Sequence, residues 1–381
     1  MLTMQMRLLV STVWLYDITG SGLSLGLLGV IQLAVQLPAV IYGGTLADQI
    51  DRKKLMAVTQ SFSFVLISIM AALVFLDKLT PFHIYAVTAI LGVTSVLGNP
   101  ARSALTANVV PRTHLMHAVT LNTAIFQIGA VVAPLGFAGI HELFGIKVAF
   151  AAAAVLAFPS TFLPLLIRAR TVPEKRTDGA SVIKRTWEGF LYVKSHPILP
   201  GLYIMDIGVT VVSFYRQIMP LVADRLFKGG PAAVGLLQSA NSLGGVIGTF
   251  AVLFLTKYRA KGMLVIYATL VYGVLLILFG VSTSLWIGAL VLIGLGATDA
   301  IGMTTRQTTV QLTTPDNMRG RAVSFSSVSA MSANNIGTFE VGFMSDAIGA
   351  PNTLIFGGVV AIMVVLIVWR LVKGIREYRY P

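Results

Sequence analysis

The segment Gly44-Thr45-Leu46-Ala47-Asp48-Gln49-Ile50-Asp51-Arg52-Lys53-Lys54 sets two acids and three bases between two long apolar runs, Ser21–Leu46 and Leu55–Leu76. Each run can cross the hydrocarbon core of a bilayer, which takes about 20 mostly apolar residues. The segment is therefore a turn at which a lipid-crossing chain reverses. Its basic cluster marks the cytoplasmic face, where Lys and Arg are retained. Gly44 and Ala47 are small enough to let helix ends approach, and an acid here can cap a neighbouring helix N-terminus, where the macrodipole favours negative charge.

The same pattern repeats outward along all 381 residues. Further apolar runs read as Phe82–Leu105, Ala118–Ile140, Val148–Ile167, Leu199–Ala223, Ala232–Thr256, Met263–Val281, Leu285–Val310, Ala322–Met344 and Thr353–Val372, giving eleven full spans. Met1–Tyr16 is apolar but short, and reads as the outer part of a twelfth helix whose start is missing. The runs are continuous rather than alternating, which points to helices and not an outer-membrane barrel. Only 11% of residues are charged and 56% are apolar. A soluble domain carries roughly 25% charged residues, so the surface of this chain must face lipid. The absence of Cys removes thiol catalysis and cysteine metal sites. No phosphate-binding Walker loop occurs, and the five His form no metal or nucleophile constellation. The sequence thus points to no catalytic residue, no metal and no cofactor.

The net charge of +13 is a topology signal rather than a mark of nucleic-acid binding. Most Lys and Arg collect in alternate loops: Arg52/Lys53/Lys54, Arg102/Arg112, Arg168–Lys194, Lys257/Arg259/Lys261, Arg306/Arg319/Arg321, and the tail from Arg370 to Arg379. By the positive-inside rule these loops and both termini are expected in the cytoplasm. Trp14, Trp286 and Trp369 fall near expected interfaces, where indoles anchor.

The polar stretch around Arg168–Pro197 divides the spans into halves. Arg102, Pro111, Ala118 and Val119 recur as Arg306, Pro315, Ala322 and Val323, a weak internal repeat. The expected domains are an N-terminal bundle (1–167), a cytoplasmic linker (168–198) and a C-terminal bundle (199–381). Parallel six-helix repeats of this kind occur in secondary transporters, with a substrate site near the bilayer midplane. In the linker, Ile183, Trp187, Phe190 and Leu191 follow helical spacing beside Lys184, Arg185 and Lys194, which predicts an interfacial amphipathic helix acting as a tether.

The Gly44–Lys54 turn closely resembles the signature loop of the major facilitator superfamily, with Gln49 where that family usually has a basic residue. Tyr16–Ser21, Asn99–Arg102, Met219–Asp224, Gly235–Leu237, Arg306–Asp316 and Gly337–Gly342 look like the drug, macrolide and siderophore exporter branch. The resemblance implies an all-α membrane protein with two pseudo-symmetric six-helix bundles. It implies a monomer in the plasma (inner) membrane that exports a small amphipathic drug, antibiotic or siderophore in exchange for protons. A cytoplasmic gating role is implied for Gly44, Asp48, Asp51, Arg52 and Lys53. Uptake or facilitated diffusion of a small solute, and a degenerate non-transporting subunit, are the alternatives.

Ionisable groups inside the bilayer cost at least ~2.5–3.5 kcal/mol each near its centre, so they are functional candidates by default. They are Arg7, Asp206, Arg216, Asp299 and Glu340. Buried carboxylates suit proton coupling; the bland reading is a set of fixed pairs, Arg216 with Glu340 and Arg7 with an inner acid. Asp17, Asp77 and Asp346 fall in outer loops and are expected to be solvated. Gln32, Gln36, Asn122, Gln127, Gln238, Asn241 and Asn335 are candidates for lining a polar cavity, although each alone suits an interhelical hydrogen bond. Gly244-Gly245 and Gly248 predict close helix packing.

Overall fold

The computed structural model describes every residue except 1, 48–49, 112–113, 168–181, 256–257 and 380–381. Fourteen α-helices and two 3-10 turns make up the secondary structure of the described residues. The chain divides into two compact units: residues 1–18 with 31–182, and residues 19–30 with 183–381. The expected linker boundary falls on residues 168–181, outside those described. One departure from the expected division is that the first turns of the second helix group with the second unit.

In the first unit, α1 (Leu2–Thr19) buries Met6, Leu9, Val10, Val13 and Leu15. Trp14 is buried with them at 9% exposure, so it is a core residue and not an interface anchor; Trp286 and Trp369 stay exposed. α2 (Gly22–Ala47) is followed by α3 (Arg52–Phe75), whose N-terminus is capped by Asp51 accepting from the Lys53 N–H at 2.9 Å. α4 (Pro81–Val109) starts on Pro81, whose missing N–H costs nothing at that position. α5 (Leu115–Phe162) runs 48 residues, about 72 Å at 1.5 Å per residue, twice what one crossing needs. It is two arms joined at Gly145, where φ is +80° and only glycine is unstrained. Its second arm buries Ala149, Ala153 and Ala157, one stripe of small side chains, and sets Phe158 edge-on to Phe64 of α3 at 5.4 Å.

The second unit opens with α6 (Val182–Ser195), followed by α7 (Leu199–Ser213), α8 (Met219–Phe227), α9 (Pro231–Phe254), α10 (Lys261–Val281), α11 (Leu285–Thr313), α12 (Asp316–Ile348), α13 (Ala350–Leu371) and the short α14 (Lys373–Glu377). A Cβ at Gly244 or Gly248 would overlap the carbonyls of Ile293 and Ala297, so α9 and α11 meet backbone to backbone as the small-residue face predicted. The first turns of α2 meet α12 in the same way: a Cβ on Gly22 would stand 2.7 Å from the Gly342 carbonyl, and one on Gly26 3.0 Å from that of Phe339.

Among the described residues, eight helices are long and apolar enough to cross a membrane. The difference from eleven runs has local causes. α5 holds two of the expected spans in one helix assignment. Leu199–Ala223 is not one helix: it breaks at Phe214 and Tyr215 into α7, a 3-10 turn at Arg216–Ile218, and α8. α12, with Ser, Asn and charged residues throughout, is not among the eight.

Candidate functional site

α7 and α11 each carry a polar face at helical spacing. On α7 it is Asp206, Thr210 and Ser213; on α11 it is Asp299 and Arg306, with Gly302 and Met303 between them on the same face. Residues at i, i+3, i+4 and i+7 lie over one another on a helix, so both faces point one way. With Thr269 and Tyr272 of α10 and Asn334 of α12 they enclose a cavity of about 220 Å³ within the second unit.

Two ion pairs bind α11 to the α7 segment across this cavity. Arg306 Nη2 lies 2.7 Å from Asp206 Oδ1, with side chains 18% and 16% exposed. Arg216 Nη2 lies 3.3 Å from Asp299 Oδ2, with side chains 51% and 53% exposed. The same two charges in the same cavity therefore sit in different surroundings, one pair enclosed and one open.

The break after α7 is what presents Arg216. The helix ends at Ser213, and the Tyr215 N–H folds back to the Ser213 carbonyl at 2.9 Å. Freed backbone groups within a bilayer must find partners. The Arg216 carbonyl accepts from Gln238 Nε2 of α9 at 3.1 Å. The Tyr215 hydroxyl accepts from Asn241 Nδ2 at 2.8 Å. Tyr272 donates towards Ser213 Oγ, 3.2 Å away. The wall of the cavity is thus held by side chains of α9 and α10.

Asp206, Arg216 and Asp299 come together here, as three of the five intramembrane charges. Arg216 pairs with Asp299 and not with Glu340; position along two helices does not fix which faces meet. Arg7 is half-buried on α1, and among the described residues it makes no ion pair with an acid. Glu340 does not line the cavity, and its Oε2 is buried with no hydrogen-bond partner among the described residues. By sequence Arg306 falls with the loop cations, yet it is the partner of Asp206. Its spacing from Asp299, seven residues on the same helix, was the available signal.

None of Gln32, Gln36, Asn122, Gln127, Gln238, Asn241 or Asn335 lines this cavity. Gln238 and Asn241 fasten helices instead, and Asn335 is buried on α12. Gln32, Gln36 and Gln127 are half-buried and Asn122 is exposed.

In the loop motif, Gly44 ends up within α2, Asp51 caps its own helix α3, and Arg52 is half-buried at that helix start. Lys53 Nζ reaches the Ile167 carbonyl at 3.5 Å. Asp48 lies outside the described residues.

Two of the acids expected in outer loops are engaged rather than merely solvated. Asp77 meets Lys147 Nζ at 2.7 Å. Asp346 accepts from the Ser21 hydroxyl at 2.6 Å, the Gly22 N–H at 2.7 Å and the Leu23 N–H at 2.8 Å. It therefore caps α2 from another helix. Desolvation alone would raise the Asp346 pKa; the three hydrogen bonds and nearby Arg225 outweigh it and hold the carboxyl below its ordinary range. Asp17 is exposed.

The profile of a family described as transmembrane secretion effector matches residues 5–377. The enterobactin exporter EntS of Shigella boydii serotype 4 (strain Sb227) is 26% identical over 320 residues, covering 83% of this chain and 73% of the relative. EntS of Escherichia coli O81 (strain ED1a) is 27% identical over 303 residues, covering 79% and 70%. Among solved structures, a mutant of the nucleoside transporter NupG superposes with a TM-score of 0.75 at 13% identity, covering 97% of this chain and 99% of that one. A mutant of the peptide transporter POT in complex with sulfate superposes with a TM-score of 0.78 at 14% identity, covering 100% and 93%. At such identity these structures speak for the fold alone.

Proposed function

Because the chain belongs to the transmembrane secretion effector family of the major facilitator superfamily, and is thus an integral membrane transporter and not an enzyme, we propose that it exports a small amphipathic compound in exchange for protons. Siderophores are the substrate class we assign, since the exporters of enterobactin are its relatives over most of their length. The protein works by alternating access as a monomer in the inner membrane, with both termini in the cytoplasm. The Gly44–Lys54 turn steadies one of the two gate states.

The observation that carries this reading is the open Arg216–Asp299 pair on the wall of a 220 Å³ cavity. A proton taken up by Asp299 cancels the charge that holds Arg216. The freed guanidinium, with its fork of donors, then suits an oxygen acceptor on the substrate. Proton and substrate thereby alter the same contact, and a ligand shifts a conformational equilibrium only through such differential interactions. Asp206, held by Arg306, orients α7 against α11. Glu340 is assigned as a second proton-accepting group, because its buried oxygen has no hydrogen-bond partner among the described residues.

Everted membrane vesicles test the proposal. Adding a siderophore should dissipate a preformed pH gradient, and Asp299→Asn should remove the response. No response to siderophores, or an undiminished one in the variant, would overturn it. Glu340→Gln should abolish uphill export while passive exchange of substrate survives.

A further inference from the structure

We infer that α6 is a docking surface for anionic phospholipid headgroups in the leaflet assigned above to the cytoplasm. The helix has two unlike faces. One is locked to the second unit. A Cβ on Gly189 would overlap the Arg321 carbonyl, Val193 is 3% exposed, and Glu188 pairs with Arg321 at 2.9 Å. The other face carries Ile183, Trp187 and Leu191, which are 55%, 59% and 48% exposed. Their i, i+4, i+8 spacing makes one stripe, and exposed Lys184 and Lys194 stand near its two ends.

Direction distinguishes this stripe from the exposed apolar residues of the crossing helices. The chain bends by 111° between α6 and the α7–α8 segment. His196 stabilises the corner, its Nδ1 accepting from the Ile198 and Leu199 N–H groups at 3.3 and 3.4 Å. With α7 running through the bilayer, α6 runs along its surface. A flat helix with Trp, Ile and Leu on its free face sinks that face to the acyl boundary. Its lysines then extend their stems and place their ammonium groups among the phosphates.

The charge around α6 selects the headgroup. Glu188 on this helix is already neutralised by Arg321, so the free face offers cations to the membrane. α14 adds to the band. Ile375 belongs to the same buried cluster as Val193, and Arg376 lies over the exposed Trp369 ring at 5.6 Å. Such a band is complementary to phosphatidylglycerol and not to a zwitterionic lipid. Because α6 is clamped to α12, lipid that holds α6 also stabilises the unit containing the cavity.

The test uses the full chain in micelles doped with phosphatidylcholine alone or with added phosphatidylglycerol. The thermal unfolding midpoint should rise with phosphatidylglycerol and respond little to phosphatidylcholine. In the variant Lys184→Gln/Lys194→Gln, reaching the same midpoint should take about fivefold more phosphatidylglycerol per lysine removed, the effect of one surface cation. Salt should weaken the wild-type response, since it screens exposed charges beyond about 10 Å at 0.1 M. An identical titration for variant and wild type would overturn the inference. A second measurement compares wild type with Trp187→Phe in vesicles containing brominated phosphatidylglycerol. The quenching lost in the variant reports the contact of Trp187 with acyl chains. If Trp187 is instead quenched by aqueous iodide and untouched by brominated lipid, the face is open to water and to protein partners, and the inference fails.

Discussion

Two ion pairs cross one cavity, and they differ in everything except their chemistry. Asp206–Arg306 is short and enclosed, at 2.7 Å with both side chains under a fifth exposed. Arg216–Asp299 is longer and open, at 3.3 Å with both about half exposed. An enclosed pair is costly to break, because the survivor becomes an unpaired charge in low dielectric. An open pair holds little stabilising energy, about 0–1 kcal/mol, and can exchange partners. On the reading proposed above, the first pair fastens and the second switches. The backbone agrees: Asp206 lies within the regular turns of α7, whereas Arg216 lies in the 3-10 turn after the break.

The largest effect should come from breaking the enclosed pair. Asp206→Ala strands the Arg306 guanidinium and should cost about 3–5 kcal/mol of folding stability, read as a lowered unfolding midpoint in detergent, with export lost through misfolding. Replacing both partners, Asp206→Leu with Arg306→Met, removes the stranded charge and should bring stability back to near wild type. If the single variant is as stable as wild type, the enclosed pair is not a fastener and the contrast disappears.

The open pair should give the opposite signature. Asp299→Asn should change stability by no more than about 1 kcal/mol. It should reduce proton-driven export by at least about tenfold, the factor that 1.4 kcal/mol of lost coupling represents. Passive exchange of substrate should persist. A loss of fold equal to that of Asp206→Ala would make the two pairs equivalent and remove the basis for calling one of them a switch.

This distinction was half legible in the sequence. Asp206, Arg216 and Asp299 stand out as charges within apolar runs, because hydrocarbon tolerates such groups only where they serve a purpose. The glycine-lined contact of α9 with α11 and the amphipathic α6 follow from residue spacing alone. Pair assignment does not. Which carboxylate faces Arg216 depends on how two helices are rotated against each other, and depth along each helix leaves that open. The break at Phe214 had a partial signal: Pro220 has no N–H to offer the Arg216 carbonyl four residues back. What spacing alone does not show is that Gln238 of α9 satisfies that carbonyl instead. Asp346 read as a solvated loop acid because the helix that it caps begins more than three hundred residues earlier.

Asp346 sharpens the comparison by adding a carboxylate whose partners are mostly hydrogen-bond donors rather than one cation. It lies on α12 beyond Glu340, whose buried Oε2 has no hydrogen-bond partner among the described residues, and it accepts three hydrogen bonds from Ser21, Gly22 and Leu23. The carboxyl is exposed, so solvent discounts its contribution. Asp346→Ala should therefore cost about 0.5–1 kcal/mol, the low end for a lost N-cap. The pH dependence has a defined sign. The folded pKa is below the ordinary value, so the stabilisation is complete above the unfolded pKa of about 3.9. It fades as pH falls through the folded value, where the protonated acid no longer caps α2. Unfolding midpoints of wild type and Asp346→Ala should thus differ at neutral pH and converge in acid, while Asp346→Asn, which keeps a carbonyl acceptor, should lie between them and show a flatter pH response. A gap between wild type and Asp346→Ala that persists below the folded pKa would mean that the side chain acts through packing alone, and the α2 N-terminus would then be held by the glycine contacts at Gly22 and Gly342.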